Sequence, residues 1–245
     1  MADTRGQGST GTVRKRVALT REAIMDAAFR LCSPEGGGVL TFSRLGKELG
    51  ADPTAVYRHF RDKDELILAM TDVMIEESVD LAALTAPAPE DWRAALASAA
   101  RAVRTVYLQR PALAVLAAAR TTASPAETTS VERIIGVLHR AGLPVIEAAE
   151  CYRMLLDLTL AMTLSSASFL VLDEEAQAKD DSAWSVKYGL LPEDRFPLLH
   201  RSAPRLTELF RDDAQVFELV LATFLDGIAL KIEKASALGP ESALG

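Results

Sequence analysis

A run of polar and aromatic residues near the N-terminus has the residue types and the spacing that suit contact with double-stranded DNA. The run consists of Thr54, Ala55, Tyr57, Arg58 and His59. On one short helix these side chains would point outward at a size that the major groove accepts. Hydroxyl and guanidinium groups also donate hydrogen bonds to phosphate oxygens, which fix a protein on the duplex. These residues are therefore the first candidates for a nucleic-acid contact.

Two short helices joined by a tight turn must position that run. The first is predicted from Thr41 to Gly50, and the second begins at Asp52-Pro53 and ends near Phe60. Asp52 supplies a capping carboxylate, proline suits the first helical position, and Gly50 permits a left-handed turn. Apolar residues would clamp the pair at a steep angle, as in a helix-turn-helix. They are Leu45, Leu49, Val56 and Phe60.

The remaining pattern predicts an all-α protein. Thr20 is an N-cap candidate for a helix that ends near Cys32, and Asp62 with Glu65 has capping-box spacing at the start of a helix that continues to about Leu84. Longer helices are predicted over 90–108, 111–121, 125–141, 144–172 and 212–235, with a further short helix over 193–210. The segment 173–203 is otherwise predicted to be irregular, and no strand-like alternation of useful length occurs.

The net charge of −7 shows that the chain is not coated evenly for nucleic acid. Its first 18 residues are basic instead, and their Gly- and Ser-rich composition predicts a disordered arm. The cations of this arm are Arg5, Arg14, Lys15 and Arg16. Two interpretations stay open for them, a solubilising tail or an arm that reaches into a minor groove.

The cysteines and the apolar segments indicate the cellular compartment in which the protein is expected. The two cysteines lie far apart, with no Cys/His spacing typical of zinc, so no metal and no cofactor are expected. The N-terminus has no apolar signal region, and the most apolar stretch, 155–172, is broken by Asp157. We therefore expect a cytoplasmic protein without a membrane segment.

The segment from Thr41 to Gly50, followed by that from Ala55 to Leu66, resembles the signature of the TetR family of transcriptional regulators. The core of the match is Tyr57, His59-Phe60 and Lys63, with Leu66 three residues on. The resemblance implies a DNA-binding helix-turn-helix domain over 19–65 after the arm of 1–18, and a larger helical ligand-binding and dimerisation domain over 66–245. It also implies a repressor that a small molecule releases from a palindromic operator. The partners would be operator DNA, an unknown effector and a second copy of the chain.

The resemblance assigns roles to individual residues of the first domain. Thr41 would contact phosphate through its hydroxyl and backbone N–H. Ser43 stands where the tetracycline repressors usually place a base-reading arginine, so the neighbouring Arg44 becomes a phosphate candidate. The outward face of the second helix would meet DNA through Thr54, Ala55, Tyr57, Arg58 and His59. Lys63 would bind phosphate as a point charge.

The resemblance also implies a four-helix dimer interface and a ligand cavity in the body. The interface candidates on two long helices are Tyr152, Leu155, Phe217, Leu221, Phe224 and Ile228. The cavity candidates are Trp92, Tyr107, Leu113, Leu116, Met154, Leu158 and Met162, with Arg120 and Asp157 as polar anchors. For each of these residues a plain core position is the alternative, and for Arg120 a helix C-cap.

Two other classes of function are the alternatives to this one. An enzyme is not expected, because the chain contains no phosphate-binding loop and neither a GxSxG nor an HExxH motif. A helical small-molecule-binding or interaction protein without DNA binding is the second alternative. The combination of Tyr57, His59 and Lys63 argues against it, since these side chains together serve phosphate contact.

Overall fold

The computed structural model describes residues 19–84, 90–187 and 190–238, and these ranges form eleven α-helices without a strand. The predicted all-α class, with a small N-terminal helix-turn-helix and a larger helical body, is confirmed. The basic arm of residues 1–18 lies outside the described residues. The helices are α1 (Arg21–Cys32), α2 (Phe42–Leu49), α3 (Pro53–Val56), α4 (Lys63–Leu84), α5 (Trp92–Leu108), α6 (Pro111–Ala117), α7 (Pro125–Arg140), α8 (Val145–Leu170), α9 (Glu174–Ser182), α10 (Pro197–Arg211) and α11 (Asp213–Leu238).

Three elements differ from the sequence-based expectation. Helix α3 ends at Val56 instead of near Phe60, because residues 57–59 continue as turns. Helix α6 likewise stops at Ala117. The segment 173–203 was expected to be irregular, but it contains α9, whose Asp173 cap accepts a hydrogen bond from the Ala176 N–H at 2.8 Å. Glu174 and Glu175 thus stand in the first turn of a helix, where the dipole favours carboxylates.

Two buried apolar clusters hold the helices together. The first closes around α1, α2, α3 and the first half of α4, and it also takes in side chains of α6. Its fully buried members include Ile24, Leu45, Phe60, Met70 and Leu113. The second cluster joins α5, α7, α8 and α11. Because α6 belongs to the first cluster, the N-terminal helices pack directly on the body and do not hang from it by a linker.

Three ion pairs fix α11 along α5 in the antiparallel direction. Nitrogen–oxygen distances of 2.6 Å occur in Arg93–Asp226, Arg101–Glu218 and Arg104–Asp213. Exposed pairs of this kind contribute little free energy individually, at most about 1 kcal/mol. Their sequential spacing nevertheless sets how far α11 is shifted along α5.

Within the described ranges no single helix is long and apolar enough to cross a membrane. Helix α8 and residues Glu174–Asp180 meet the length and hydropathy test only as a pair, which is bent by 117°. The same ranges hold no group of three or more His, Cys, Asp or Glu side chains placed to bind a metal ion.

Candidate functional site

The turn between α2 and α3 depends on caps and on two glycines. The Thr41 hydroxyl accepts a hydrogen bond from the Arg44 N–H at 3.2 Å, and α2 ends at Gly50 with a φ of 59°. A Cβ atom added at Gly46 would lie 2.9 Å from the Ala51 carbonyl oxygen and 3.0 Å from Pro53 Cγ. Glycine at position 46 therefore lets α3 begin in direct contact with α2.

Helix α3 and the turn after it present the predicted DNA-facing residues at one surface. The ring of Tyr57 packs edge-to-face on Phe42, with the centroids 4.6 Å apart, yet 56% of the residue stays exposed. Packing thus orients Tyr57 without burying its hydroxyl. Of the predicted contacts, Thr41, Ser43, Thr54, Arg58 and Lys63 are exposed, and Ala55 and His59 are half-buried.

The Arg44 side chain is anchored to the loop before α2. Its guanidinium donates to the carbonyl oxygens of Gly36 at 2.9 Å and Val39 at 3.2 Å, both in the loop between α1 and α2. The two carbonyl acceptors take two of the five N–H donors of the guanidinium. Arg44 thus holds the loop before α2, and its contact with phosphate stays a prediction.

A network around Glu65 braces α1 against the start of α4. Arg21 lies over the Phe60 ring, 4.1 Å from its centroid, and donates to the His59 carbonyl at 2.9 Å and to Glu65 at 3.1 Å. Glu65 also accepts the Arg61 N–H at 2.9 Å, and its own N–H is capped by Asp62 at 2.8 Å. The predicted capping box is thus modified, because Glu65 reaches the N–H of Arg61 instead of that of Asp62.

A cavity of about 790 Å³ lies in the body between α4, α5, α7, α8 and the end of α6. Small side chains on two adjoining helices leave this space open, among them Ser78 and Ala82 on α4 and Ala95 and Ala99 on α5. Most of the lining is apolar, as expected for a small-molecule site.

Three of the nine predicted cavity residues line this space, namely Tyr107, Arg120 and Asp157. The other six lie elsewhere because the helices face differently than expected. Leu113 and Leu116 pack in the first apolar cluster, and Trp92 and Met162 pack against the second. Met154 and Leu158 lie on α8 outside the cavity lining, with Met154 exposed. The side of α8 that does face the cavity carries Tyr152, Leu156, Thr159 and Leu160.

The polar part of the cavity is built around Tyr107, Glu127 and Tyr152. Burial raises the pKa of Tyr107 to about 12, with a smaller contribution from the charge of Glu127, and the same two causes raise the pKa of Tyr152. Both hydroxyls stay protonated at neutral pH and can donate hydrogen bonds. In the part of the chain that the structure describes, the Tyr107 hydroxyl has no hydrogen-bond partner of its own.

Sequence reasoning missed Glu127, although its capping-box spacing to Ser124 was visible. Glu127 Oε2 accepts the backbone N–H groups of Thr122 at 2.9 Å and Ala123 at 2.6 Å. Ala123 has a φ of 53°, a left-handed conformation that costs a non-glycine residue about 1 kcal/mol or more. The carboxylate therefore stabilises the strained loop that follows α6 while it lines the cavity.

Two arginines near the ends of α6 form ion pairs with α4, and one of them also contacts α1. Arg120 lines the cavity and forms a bidentate ion pair with Asp64 in the first turn of α4. The distance from Arg120 Nη2 to Asp64 Oδ2 is 2.8 Å. Arg110, at the other end, binds Glu77 at 2.5 and 3.0 Å and lies 4.5 Å from the ring centroid of Phe29 in α1. The cavity wall is thus connected to the DNA-facing elements by direct contacts.

The predicted dimer residues are for the most part buried inside one protomer. Leu155, Phe217, Leu221 and Ile228 belong to the second apolar cluster, Phe224 packs against it, and Tyr152 lines the cavity. These residues form the inner stripe of α8 and α11, so they are not an exposed interface in this structure. The opposite faces carry other apolar residues, which are Met154 and Phe169 on α8 and Leu219 and Leu230 on α11.

Comparison with known proteins agrees with this architecture. The family model for the tetracyclin repressor-like C-terminal domain matches residues 86–232, and the model for bacterial regulatory proteins of the tetR family matches residues 24–70. The chain belongs to the TetR family. It is a DNA-binding transcriptional regulator that responds to a ligand, with no enzymatic activity, and the resemblance inferred from Tyr57, His59 and Lys63 is confirmed.

Individual TetR-family relatives cover most of the chain. An HTH-type transcriptional repressor of Mycobacterium tuberculosis is 28% identical over 94% of this chain and 88% of its own length. ActR of Streptomyces coelicolor, solved in complex with actinorhodin, superposes with a TM-score of 0.73 at 25% identity and covers 88% of this chain and 99% of its own. BioQ with its double-stranded DNA operator gives a TM-score of 0.53 at 26% identity, over 61% of this chain and 88% of its own.

The Glu65 network predicts an acid-sensitive N-terminal domain. The hydrogen bond from the Arg61 N–H, followed by those from the Arg21 and Arg61 side chains, lowers the pKa of Glu65 from 4.5 to about 2. Since the pKa is lower in the folded state, this stabilisation is present above pH 4.5 and is lost as the pH falls towards 2.

We expect Glu65→Gln to lower the free energy of unfolding at pH 7 and to flatten its decline at acid pH. Urea unfolding followed by circular dichroism across this pH range measures both effects. Glu76→Gln, which alters an exposed carboxylate elsewhere on α4, is the matched control. An identical pH profile for wild type and Glu65→Gln would contradict the role of this network.

Proposed function

We propose that the protein represses transcription from a palindromic operator and leaves it when a small organic molecule enters the cavity. The observation that carries this proposal is the first turn of α4. There Lys63 is exposed beside the DNA-facing residues, and the adjacent Asp64 is held by Arg120 of the cavity wall. One helical turn therefore connects the DNA-facing surface with the ligand-facing one.

We assign the DNA contacts to the exposed surface of the helix-turn-helix. Phosphate would be bound by Thr41, Tyr57, His59 and Lys63, and bases would be read by Ser43, Thr54, Ala55 and Arg58. Arg58 is the residue of this set that can bind a guanine in a bidentate manner. Arg44 is left out because its guanidinium is engaged by the loop before α2. The functional division is then a DNA-reading domain over 19–65 and an effector-binding and dimerisation domain over 66–245, acting in the cytoplasm where the chromosome lies.

Separate substitutions of Lys63 and Arg58 test these assignments. Lys63→Gln should weaken binding to all DNA sequences and reduce the slope of log affinity against log salt by about 0.9 for each lost phosphate contact. Arg58→Ala should cost about 1–3 kcal/mol at one base pair of each half-site and relax the preference there. Anisotropy titrations with DNA from around the protein's own gene, with footprinting, measure both effects.

Lys179→Gln is the control for this experiment, because it removes an exposed cation on α9, far along the chain from the helix-turn-helix. Its affinity and salt slope should equal those of the wild type. An unchanged affinity in a folded Lys63→Glu, Arg58→Glu variant would refute DNA binding through this surface. The alternative of a binding protein without DNA contact would then be preferred.

The regulator acts as a dimer, and we propose that the outward faces of α8 and α11 form the interface. On α11 this face carries Leu219, Thr223, Gly227 and Leu230, all exposed. A Cβ atom added at Gly227 would meet no atom within 4 Å, so the glycine leaves room for a second helix. Exposed leucines around a small residue are typical of close helix packing.

Leu230→Asp should therefore dissociate the dimer, because it would bury a charge in an apolar contact. Sedimentation velocity at micromolar concentration measures the association state. Leu198→Asp is the matched control, since Leu198 is even more exposed but lies on α10 outside the proposed face. A dimer as stable as the wild type in Leu230→Asp would place the interface elsewhere.

The cavity is the proposed effector site. ActR, which is similar over most of this chain, is bound to actinorhodin in one of its structures, and we propose that this chain likewise takes an organic molecule. The apolar part of that molecule would contact the walls of the cavity, and Tyr107 and Tyr152 would donate hydrogen bonds to its oxygen atoms. A ligand can change the position of the N-terminal helices only to the extent that it binds one arrangement of the helical body more tightly than the other.

We propose that Arg120 transmits this preference. A ligand that draws the guanidinium into the cavity would release Asp64 and with it the first turn of α4. Arg120→Gln should mimic that state and weaken effector-free operator binding about ten-fold, within the usual range of allosteric coupling. The charge exchange Arg120→Asp with Asp64→Arg should recover part of the loss. Operator anisotropy at fixed salt measures all three proteins.

The control for this prediction is Arg205→Gln, which removes another exposed ion pair, that with Glu208 on α10. Loss of the Asp64 charge alone would favour DNA binding by simple electrostatics, and loss of the Arg120 charge alone would weaken it. The charge exchange, which keeps the net charge of the wild type, is therefore the informative variant. Wild-type operator affinity in Arg120→Gln would exclude the pair as the connection between cavity and DNA.

A further inference from the structure

The rim of the cavity carries more positive than negative charge, although the whole chain is acidic. Its charged lining residues are Arg120, Arg133, Arg140, Arg153, Glu127 and Asp157. Asp64 pairs with Arg120, and Asp157 binds Arg153 at 2.9 Å. Glu127 is engaged by backbone N–H groups. Within 19–84, 90–187 and 190–238, Arg133 and Arg140 alone among these arginines have no ion pair.

Arg133 and Arg140 lie on one side of α7, seven residues or about two turns apart. The same side carries Ile134 and Val137, which also line the cavity. Both arginines are exposed and line the cavity, so they lie at its solvent-facing rim. A helix face that is apolar towards the cavity and cationic at its edge suits a ligand with an apolar body and a charged end.

The position of Arg140 does not fit the ordinary role of a cation at a helix end. A basic residue in the last turn usually interacts with the free carbonyl groups at the C-terminus. Here Arg140 Nη1 lies 3.2 Å from where a Cβ atom of Gly136 would stand, one turn back along α7. Glycine at position 136 leaves room for the guanidinium to lie along the helix towards Arg133.

We propose that Arg133 and Arg140 form a subsite for an anionic group, so that the effector is an amphipathic organic acid. The proposal rests on the proposed function of the cavity as the effector site. The apolar body of the ligand fills the cavity, and its carboxylate, sulfonate or phosphate group binds at the α7 rim. Guanidinium groups bind such oxygens through two parallel hydrogen bonds. In a chain of net charge −7, the unpaired arginines give an anion a locally favourable entry.

A matched pair of fluorescent probes tests the subsite without knowledge of the natural effector. Anilinonaphthalene sulfonate and phenylnaphthylamine share the same aromatic body, and only the first carries a sulfonate. We expect the full-length wild-type protein to bind the sulfonate more tightly. The double variant Arg133→Gln, Arg140→Gln should reduce the ratio of the two affinities about ten-fold. Raising the salt concentration should reduce the same ratio in the wild type.

Two further variants locate the probes and control for charge. Ala99→Phe narrows the cavity from the α5 wall and should lower the affinity for both probes. This result would show that the probes bind inside the cavity. Arg201→Gln removes an exposed cation of α10 outside the cavity lining and should leave the ratio as in the wild type. Circular dichroism and thermal unfolding of each variant verify that it is folded.

The outcomes separate the subsite from the cavity itself. If Ala99→Phe weakens both probes but the double arginine variant keeps the wild-type ratio, the anionic subsite is overturned and the effector cavity stands. A wild type that prefers the neutral probe overturns the subsite in the same way. If Ala99→Phe changes neither affinity, the probes bind outside the cavity, and both the subsite and the proposed effector site are overturned.

Discussion

The ion pair between Arg120 and Asp64 joins the two halves of this protein at the point where both need α4. A bidentate arginine–carboxylate contact fixes the direction of approach as well as the distance, which a single hydrogen bond does not. Here it sets the first turn of α4, and that turn also carries Lys63 towards the DNA-facing surface. Any change in the position of α6 must therefore be accommodated by α4 or by the loss of this pair.

The remaining contacts pack the N-terminal helices into one unit. Phe60, Leu45 and Ile24 are fully buried, and Arg21 closes the assembly from outside by its contacts with Phe60, His59 and Glu65. Close-packed side chains transmit displacement with little deformation. Under the proposed release of Asp64, the recognition surface of the helix-turn-helix would therefore keep its shape.

The body is built differently, because small residues leave a space where the core of a helical protein is usually filled. Alanines and serines on α4 and α5, two helices that pack directly against each other, line the cavity, while side chains of the second apolar cluster pack next to it. An unfilled apolar volume forgoes dispersion contacts, so an occupant of suitable shape stabilises the arrangement that encloses it. The abundance of alanine thus serves both helix formation and the opening of the cavity.

The sequence by itself determined the helix-turn-helix, because every signal for it is local. The Thr41 cap, the left-handed Gly50 and the Asp52-Pro53 start act within a few residues, and the spacing of Tyr57, His59 and Lys63 follows from them. Helix starts elsewhere, such as that after Thr20, were predictable for the same reason. About the cavity the sequence was informative only at Tyr107, Arg120 and Asp157.

Tertiary structure alone decided which face of each long helix is buried. On α8 and α11 apolar residues occur on both the inner and the outer face, so periodicity could not tell the stripe of Leu221 and Ile228, buried in the protomer, from the exposed stripe of Leu219 and Leu230. The partner of Arg120 was equally hidden, because Asp64 lies 56 residues away and no local spacing encodes how distant helices come together. Arg44 and Glu127 bind loop groups within eight residues, but which backbone groups they reach depends on the loop conformation, which the spacing did not specify.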